Sequence, residues 1–374
     1  MAEPSGSPGP PRGADKDFCE RVAGFCIGRS APFVQSENLS QFGRAFMKWD
    51  GQAGFTSLFN RPCPIFRDSD GQILTRISEL RFKRLAATMS EMAALGFSGP
   101  VRLDMLDARR YGVSGKTGVS APVVVYNRRE TAKNLVLWPL APYHTLGHKK
   151  FVHARPIDPI AFDDKNDLAI WRGNLSGTPN KALAIKNSPP RLALKIMEDL
   201  EAAGSDEELW ELHRELMGIT RYNFVLRYFM SEEMDVALTL RDQHKAARNT
   251  RLLKPLCKAR KPVEWFFNSK YIFSLSGNDT GSNFLMAANS NSVVLKEEDG
   301  WELFYTNEFR PWEHYIPLSP GALDTEEKLA WAKDNPKACK EMSAAARAVC
   351  ARFASAENRR HYLGAILSYL ANAR

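Results

Sequence analysis

Short apolar runs alternate with longer amphipathic segments along most of this chain, and that alternation is what most limits its fold. The runs have the length of buried strands, and they fall into two groups, at 101–106, 121–127 and 134–140 and at 168–173, 234–240, 270–277, 292–298 and 313–319. Helical spacing of apolar residues covers 77–96, 191–204, 205–218 and three segments after Asp324. Ser205 and Glu208 make a capping box, and Asp324 stands as a helix cap. The pattern predicts an α/β protein built from layers of strands and helices.

Length and linkers predict two domains. The 374 residues suffice for about two domains, and 44% hydrophobic residues exclude a disordered chain. The Pro-, Gly- and Ser-rich start predicts a disordered tail over 1–16, not a signal peptide, and 18–64 has a mixed, loop-rich pattern. A polar, Pro-bearing junction then separates two Rossmann-like domains, at 17–165 and 166–355. We expect 356–374 to form a C-terminal helix that packs back on the first domain.

Charge and cysteine usage narrow the class of partner and compartment. The net charge of +8 suits acidic partners such as nucleotides, other phosphates, nucleic acid or an anionic membrane, but a basic solvated surface without a partner is equally compatible. Six cysteines without a C-x-x-C pair exclude a zinc ribbon and indicate a reducing compartment. No run of about 18 apolar residues occurs. We therefore expect a cytoplasmic protein, for which any contact with a membrane would be peripheral.

Three motifs have an ordinary structural interpretation. GVSGKTG at 112–118 resembles the end of a P-loop, but Arg110 stands where that motif needs its first glycine, and no helix follows Thr117. A nucleotide hydrolase or kinase that uses Lys116 is therefore disfavoured, and a loop near the active cleft is favoured. Asp68 to Asp70 reads as a surface turn. Three histidines, His144, His148 and His153, lie in the loop PYHTLGHKKFVH. No acidic residue stands at a suitable spacing to complete a metal site with them, so ordinary loop histidines are favoured.

The segment KYIFSLSGNDTGSNF at 270–284 is a candidate phosphate site. A strand ends at Gly277, a small polar loop follows, and a helix begins near Ser282, so free N–H groups and a helix dipole suit a diphosphate. Gly277 and Gly281 allow close backbone approach. Neutral hydrogen bonds are available from Ser276, Asn278, Thr280, Ser282 and Asn283. An ordinary strand-to-helix turn is the alternative interpretation.

A second candidate lies in WRGN at 171–174. Arg172 stands beside Gly173 at a strand end, where its planar guanidinium could clamp a phosphate. A surface arginine next to a core tryptophan is the alternative.

Read together, several blocks resemble glycosyltransferase family 90. That family groups capsule-associated proteins, eukaryotic protein O-glucosyltransferases and bacterial lipopolysaccharide-modifying enzymes, and the absence of a leader makes this chain look like the bacterial branch. The similar blocks span roughly 100–355, and they are APVVVYNRRETAKNLVLWPLAPYHTLG, WRGN, KYIFSLSGND, NSVVLKEEDGWELFY, RPWEHYIPLS and EEKLAWAKDNP.

The resemblance implies a GT-B-like fold, in which two Rossmann-like domains face a cleft and C-terminal helices follow. It implies an inverting, metal-independent transfer of glucose, xylose or a similar sugar from a UDP-sugar, which is a substrate, so no cofactor is expected. The first domain would bind the acceptor, a glycan or glycolipid such as lipopolysaccharide or capsule, and the second the donor. Contact with the inner membrane is expected, and a nucleic-acid partner is not. A non-catalytic glycan- or nucleotide-binding protein of the same fold is the alternative.

Two departures from the family pattern affect the site. Eukaryotic members carry an Arg at the helix start where this chain has Ser282 and Asn283, so neutral donors, Lys270 or Arg172 must serve. Their catalytic Asp corresponds to Arg110 here. We expect Asp107 to be the base, since it sits where the strand should end, whereas Asp104 would lie mid-strand. In the alternative, Asp107 caps a turn or pairs with Arg109.

The resemblance also implies an acid for the donor ribose. Glu302 is the candidate after the 292–298 strand, with Glu297 and Glu298 behind it.

Overall fold

The computed structural model describes most of the chain. The described residues are 13–42, 46–51, 54–57, 63–112, 117–141, 143–146, 148, 151, 157–183 and 191–373.

Helices and strands alternate along these residues. The strands are β1 Met47–Trp49, β2 Phe55–Ser57, β3 Ile65–Arg67, β4 Ile73–Thr75, β5 Val101–Asp104, β6 Val123–Val125, β7 Arg128–Arg129, β8 Leu135–Leu137, β9 Asn166–Gly173, β10 Met234–Leu238, β11 Ser269–Ser274, β12 Val293–Glu297, β13 Trp301–Glu302 and β14 Ile316–Leu318. The α-helices are α1 Lys16–Ile27, α2 Leu80–Ala94, α3 Ala193–Ala202, α4 Asp206–Met217, α5 Thr220–Tyr228, α6 Lys245–Asn249, α7 Val263–Phe266, α8 Phe284–Ala288, α9 Thr325–Asp334, α10 Pro336–Ala354 and α11 Ala356–Asn372.

The first five-stranded sheet is mixed. Its order is β2-β1-β5-β6-β8, in which β1 pairs antiparallel with β2 and β5, while β5, β6 and β8 run parallel. It is therefore not the all-parallel sheet of a Rossmann-like domain. Because β5 and β6 are parallel neighbours, the residues that follow Asp104 and Val125 emerge at one edge of the sheet.

The second sheet is parallel throughout. Its order is β10-β9-β11-β12-β14. The chain passes from β9 outward to β10 and then returns to β11 on the other side of β9, so the strand order reverses between β9 and β11. In open α/β sheets, ligands bind outside the carboxyl ends of the strands at such a reversal. The loops after Gly173 and Ser274 flank that position.

Helices cover both faces of the second sheet, because its strands are apolar on both sides. Ala169, Trp171 and Phe273 pack in one core with α3, α4 and α5. Ile170 and Ile272 face the other way and share a core with α8, the end of α10 and the apolar residues of the first sheet. The α/β class is thus confirmed, and the division into two GT-B domains facing a cleft stays a prediction.

The last helix lies against the start of the chain. α11 packs on α1, and Asn358 Oδ1 accepts a hydrogen bond of 2.9 Å from the Asp15 N–H. Arg359 pairs with Glu91 of α2, with 2.7 Å between Nη2 and Oε1.

The sequence predicts most of the longer helices and strands correctly, but it predicts several helix starts incorrectly. The capping box at Ser205 and Glu208 is confirmed. The mixed, loop-rich interpretation of 18–64 was wrong for 18–27, because α1 begins at Lys16 and buries one apolar face. The described residues of 28–64 are mostly irregular, with the short strands β1 and β2 among them. Asp324 precedes α9 but makes no capping hydrogen bond, since its carboxylate accepts from Ser319 instead. Residues 1–12 of the expected tail lie outside the described residues.

Two errors touch the candidate site. Asp104 is the last residue of β5, not a mid-strand position, and it is fully buried. The strand of the phosphate segment ends at Ser274, and α8 begins at Phe284, two residues later than expected. α8 has five residues, so its dipole is much smaller than that of a full helix.

Within the described part of the chain, no helix has the length and apolar content needed to cross a membrane.

A buried arginine holds three elements together and gives a test of the fold. Arg128 Nε lies 2.7 Å from Glu302 Oε2, and its other nitrogens donate to the carbonyl groups of Phe25, Cys26 and Leu135. We predict that Arg128→Ala lowers the free energy of unfolding in urea by about 3–5 kcal/mol, because Glu302 keeps a buried charge without its main partner. Arg214→Ala removes an exposed pair with Glu211 and should cost less than about 1 kcal/mol. Equal losses of unfolding free energy in the two variants would contradict the assignment of Arg128 as a buried structural cation.

Candidate functional site

Asp107 lies among polar groups from three elements. It follows β5, and Tyr126 follows the adjacent strand β6, so the two side chains meet at one sheet edge. Asp107 Oδ1 accepts a hydrogen bond of 2.6 Å from Arg84 Nη1 of α2 and a short hydrogen bond from the Tyr126 hydroxyl. Asn278 Nδ2, from the loop after β11, lies 3.4 Å from Oδ2. The Asp107 side chain is 40% exposed, so it remains accessible to a ligand.

These neighbours keep Asp107 ionised. Burial would raise the pKa of this carboxyl, but the Arg84 charge and the hydrogen bonds from Tyr126, Arg84 and Asn278 outweigh burial and lower the pKa below its ordinary value. Arg109, the expected ion-pair partner, donates instead to the Asp107 carbonyl group at 3.0 and 2.8 Å. A carboxylate in this state is a hydrogen-bond acceptor and a proton acceptor.

A second carboxyl group, Asp279, faces Asp107 across Tyr126. The Tyr126 hydroxyl lies 2.7 Å from Asp279 Oδ2. Burial first, and then the negative charge of Asp107, raise the pKa of Asp279 to about 7. The two carboxyl groups therefore lose their protons in different pH ranges because their surroundings differ, a pattern common to acid–base sites.

The loop that carries Asp279 presents unpaired main-chain donors. Gly277 N–H donates to the Asp279 carbonyl at 2.8 Å, and Phe284 N–H donates to Gly281 at 3.1 Å. Between them, the N–H groups of 278–282 donate to no described residue. Such a run of free amides beside glycine suits an anion. Gly281 is needed because a Cβ there would lie 2.4 Å from Ser274 Oγ and 3.0 Å from the Leu275 carbonyl oxygen.

Arg221 fixes this loop against the loop after β9. Its guanidinium is buried and donates to the carbonyl groups of Asn174, Leu275 and Ser276 at 3.0, 3.0 and 2.9 Å, and to Ser176 Oγ at 2.7 Å. Burial lowers the pKa of Arg221 to about 10, so it stays cationic at neutral pH. The two loops at the strand-order reversal are thus held at a fixed spacing by one cation.

Several of the predicted donor-site side chains bind protein groups. Ser276 donates from its N–H and hydroxyl to Glu297, which also accepts from Thr220 and from the Gly321 N–H. Asn278 Oδ1 accepts from the Gly177 N–H at 3.1 Å. Thr280 hydrogen-bonds to Asp299, Asn283 Nδ2 donates to the Phe273 carbonyl at 2.8 Å, and Ser282 is exposed. Glu297 is therefore a support for the loop.

The two candidates from the WRGN segment, Arg172 and Gly173, contact neighbouring protein groups. Arg172 is buried with its guanidinium on both oxygens of Asp235, each at 2.7 Å. Gly173 packs against the Trp171 ring, and a Cβ on this glycine would lie 2.3 Å from Cζ2 of the indole. The ligand-binding roles of Arg172 and Gly173 stay predictions.

Two further predicted residues lie apart from the loop. Lys270 is near the amino end of β11, beside Asp167 and about 20 Å of extended strand from Ser276. Glu302 pairs with Arg128 and, at 3.8 Å, with Arg29. Their ligand-binding roles also stay predictions.

Four residues of the site were missed from sequence: Arg84, Tyr126, Asp279 and Arg221. Arg84 and Arg221 look like ordinary helix-surface cations, and Tyr126 looks like the end of an apolar strand. Asp279 had a signal, since it is the single acid in a Gly-containing loop at a strand's carboxyl end.

The structure describes part of the segments that the metal and P-loop alternatives involve. Among the described residues, no group of three or more His, Cys, Asp or Glu side chains is placed to hold a metal ion. His144 is surrounded by aromatic rings, and burial lowers its pKa to about 3. Asp68 forms the expected turn, accepting from the Asp70 and Gln72 N–H groups. His153 and Lys116 lie outside the described residues.

Comparison with known proteins supports the family resemblance over the second half of the chain. Residues 214–372 match the model of glycosyl transferase family 90. Uncharacterized protein 027R of Frog virus 3 is 26% identical over 212 residues, which cover 52% of this chain and 19% of that protein. Protein O-glucosyltransferase 3 of Rattus norvegicus is 32% identical over 78 residues, or 21% and 15% of the two chains, and protein O-glucosyltransferase 2 of Danio rerio is 32% identical over 80 residues, or 21% and 16%.

These matches support glycosyltransferase activity. They cover less than a fifth of each relative's length. The family match contains Arg221 and the loop with Asp279, and it begins after Asp107 and Tyr126.

The close approach of the two loops can be tested at Gly277. A Cβ at this position would lie 2.7 Å from Ser176 Oγ and 2.9 Å from Arg221 Cζ, whose guanidinium the hydrogen bonds described above hold in place. We predict that Gly277→Ala lowers the free energy of unfolding by about 1–3 kcal/mol. Gly364→Ala, in the open on α11, should be neutral or stabilise by up to about 1 kcal/mol. Urea denaturation of both variants measures this, and an unchanged Gly277→Ala protein would show that the loops do not touch.

Proposed function

We propose that this protein is an inverting, metal-independent glycosyltransferase that moves a sugar from a UDP-sugar to a hydroxyl group. The observation that carries the proposal is the position of an ionised, accessible Asp107 within hydrogen-bond reach of the loop whose amides are free. A proton acceptor that follows a strand of the first sheet, next to an anion cradle that follows a strand of the second, supplies the two parts that such a transfer requires.

In the proposed reaction, the acceptor oxygen forms a bond to the anomeric carbon while the bond from that carbon to the diphosphate breaks. Asp107 takes the proton of the attacking hydroxyl. The electron pair of the broken bond leaves on the diphosphate, where the N–H groups of 278–282 stabilise the developing charge. Arg221, which lies behind this loop, adds a fixed positive charge without direct contact.

Glucose is the sugar we propose first, with xylose or a similar sugar next. Two of the similar proteins are named protein O-glucosyltransferases, and the family match includes the loop proposed to hold the donor. The acceptor proposed from sequence is a surface glycan such as lipopolysaccharide or capsule. Because these relatives are named protein O-glucosyltransferases, a hydroxyl group on a protein is a second acceptor to test.

A basic surface supports an anionic acceptor or membrane contact. Residues 241–261 hold eight Lys or Arg and one Asp, a net charge of +7 within a chain of +8. The segment leaves and rejoins the carboxyl end of β10, where the Thr239 N–H donates to Gly173 and the Lys258 N–H to Leu238. This is the edge of the sheet that carries the proposed donor loop. We propose that this basic segment contacts an anionic membrane face.

The base can be tested by isosteric substitution. We predict that Asp107→Asn lowers kcat for transfer from UDP-glucose by about 10²- to 10⁴-fold, because the amide cannot accept the proton. Its Kd for UDP-glucose, measured by calorimetry, should change less than about tenfold, which separates chemistry from binding. Asp70→Asn, in an exposed turn, is the matched control and should keep wild-type kcat.

The same assay addresses the rival functions. Wild-type protein should release UDP slowly from UDP-glucose without acceptor and should do so in EDTA. A non-catalytic binding protein would bind the donor and release none. Full activity of Asp107→Asn would overturn the assignment of the base, and inactivation by EDTA would overturn metal independence.

The membrane contact can be tested by charge reversal at exposed positions. We predict that replacing Lys245, Lys254 and Arg260 with Glu reduces binding to phosphatidylglycerol-containing vesicles at least tenfold, since each cation near an anionic surface contributes about 1 kcal/mol. Replacing the exposed lysines Lys16, Lys133 and Lys337 with Glu changes the net charge equally and should have a smaller effect. Vesicle co-sedimentation measures both, and equal losses would mean that net charge alone matters.

A further inference from the structure

The hydrogen bonds of Tyr126 limit the number of protons in the site. Its hydroxyl group has one proton, and it lies within hydrogen-bond distance of two carboxyl oxygens, Asp107 Oδ1 and Asp279 Oδ2. A phenol can donate to one of them only. The second contact is a hydrogen bond only if that carboxyl group carries a proton and donates to the phenol oxygen. The geometry therefore calls for one protonated carboxyl group.

The contacts of the two carboxyl groups decide which one holds the proton. Asp107 accepts from the Arg84 guanidinium at 2.6 Å and lies 3.4 Å from the Asn278 amide, so its negative charge has partners. In the described part of the chain, Tyr126 is the single side chain that hydrogen-bonds to Asp279. The charged and titratable groups that face Asp279 are Asp107, Tyr126, Arg84, Arg221, Asp299 and Tyr305. Neither arginine reaches its carboxyl oxygens.

We propose that Asp279 is a positioning residue and that its loop binds the donor while the Asp279 carboxyl group is protonated. The protonated carboxyl group donates to Tyr126, and Tyr126 in turn donates to Asp107. The proposal rests on the proposed function, since the ligand is the UDP-sugar. Loss of the Asp279 proton breaks one of the two hydrogen bonds. It also places a second negative charge in the loop whose amides hold the diphosphate, and this charge repels the donor.

The position of Asp279 within the loop makes this effect direct. Its own N–H is one of the free amides of 278–282, and its carbonyl group accepts from Gly277. Burial and the charge of Asp107 raise the pKa of Asp279 to about 7, so the proton is lost within the ordinary working range of pH. An isolated aspartate would be ionised across that whole range.

The test measures the Kd of UDP-glucose by calorimetry between about pH 6 and about pH 8.5, a range in which the diphosphate diester of this ligand does not titrate. When only the protonated protein binds, affinity falls about tenfold for each pH unit above the pKa of the group. We expect wild-type affinity to fall at least tenfold across this range. Asp279→Asn, whose amide still donates to Tyr126, should show less than about a threefold change.

Tyr126→Phe is the second variant. It removes the oxygen to which protonated Asp279 donates, so the proton is lost more easily and the midpoint of the affinity loss should move to lower pH. Asp70→Asn is the matched control and should follow wild type. A wild-type affinity that is flat with pH, or an equal fall in Asp279→Asn, would overturn the proposal.

A readout without ligand separates this proposal from the proposed function. The pKa of Asp279 is higher in the folded chain than in the unfolded one, so the unfolded state loses this proton first and wild-type stability falls as pH rises through about 7. Asp279→Asn lacks this loss, so its melting temperature relative to wild type should rise between about pH 6 and about pH 8.5. If UDP-glucose fails to bind at every pH while this rise occurs, the proposed function fails and the protonated Asp279 stands. If the rise is absent, the proton assignment fails.

Discussion

One phenol hydroxyl connects the two sheets at the place where their functional loops meet. Tyr126 follows a strand of the first sheet, and its hydrogen bonds reach Asp107 of the same sheet and Asp279 of the loop after β11. Burial makes these contacts consequential, because an unpaired polar group away from water is far more costly than one at the surface. The charge state of the proposed base and the position of the proposed donor loop therefore depend on the same few atoms.

A second buried polar network holds the loop from behind. Arg221 binds the carbonyl groups of both loops at the strand-order reversal, and Glu297 binds Ser276 and Gly321. Arg221 occupies carbonyl oxygens, Glu297 accepts from the Ser276 and Gly321 N–H groups, and the amides of 278–282 donate to no described residue. The arrangement leaves the loop with main-chain donors that are available to an anion. It does so without a long helix, which α8 does not provide.

Sequence reasoning reached what local pattern encodes. Apolar runs located the parallel strands of both sheets but not β1 and β2, glycines marked the loop after β11, and Asp107 was singled out because it directly follows the 101–106 run. The partners of these residues could not be found in this way. Arg84 lies 23 residues from Asp107, and Asp279 lies 153 residues from Tyr126, so only the packing of the sheets brings them together.

The two arginines near the loops illustrate the same limit. Arg172 has the strand-end position and the neighbouring glycine that a phosphate clamp needs, yet Asp235 of the adjacent strand occupies its guanidinium. Arg221 has no motif around it, and it carries the charge that lies beneath the loop. Where the family resemblance implies an arginine at the helix start, this chain has Ser282 and Asn283. In the proposed site, a cation behind the loop and a protonated Asp279 keep the loop free of net negative charge, which favours a diphosphate where the direct arginine is missing.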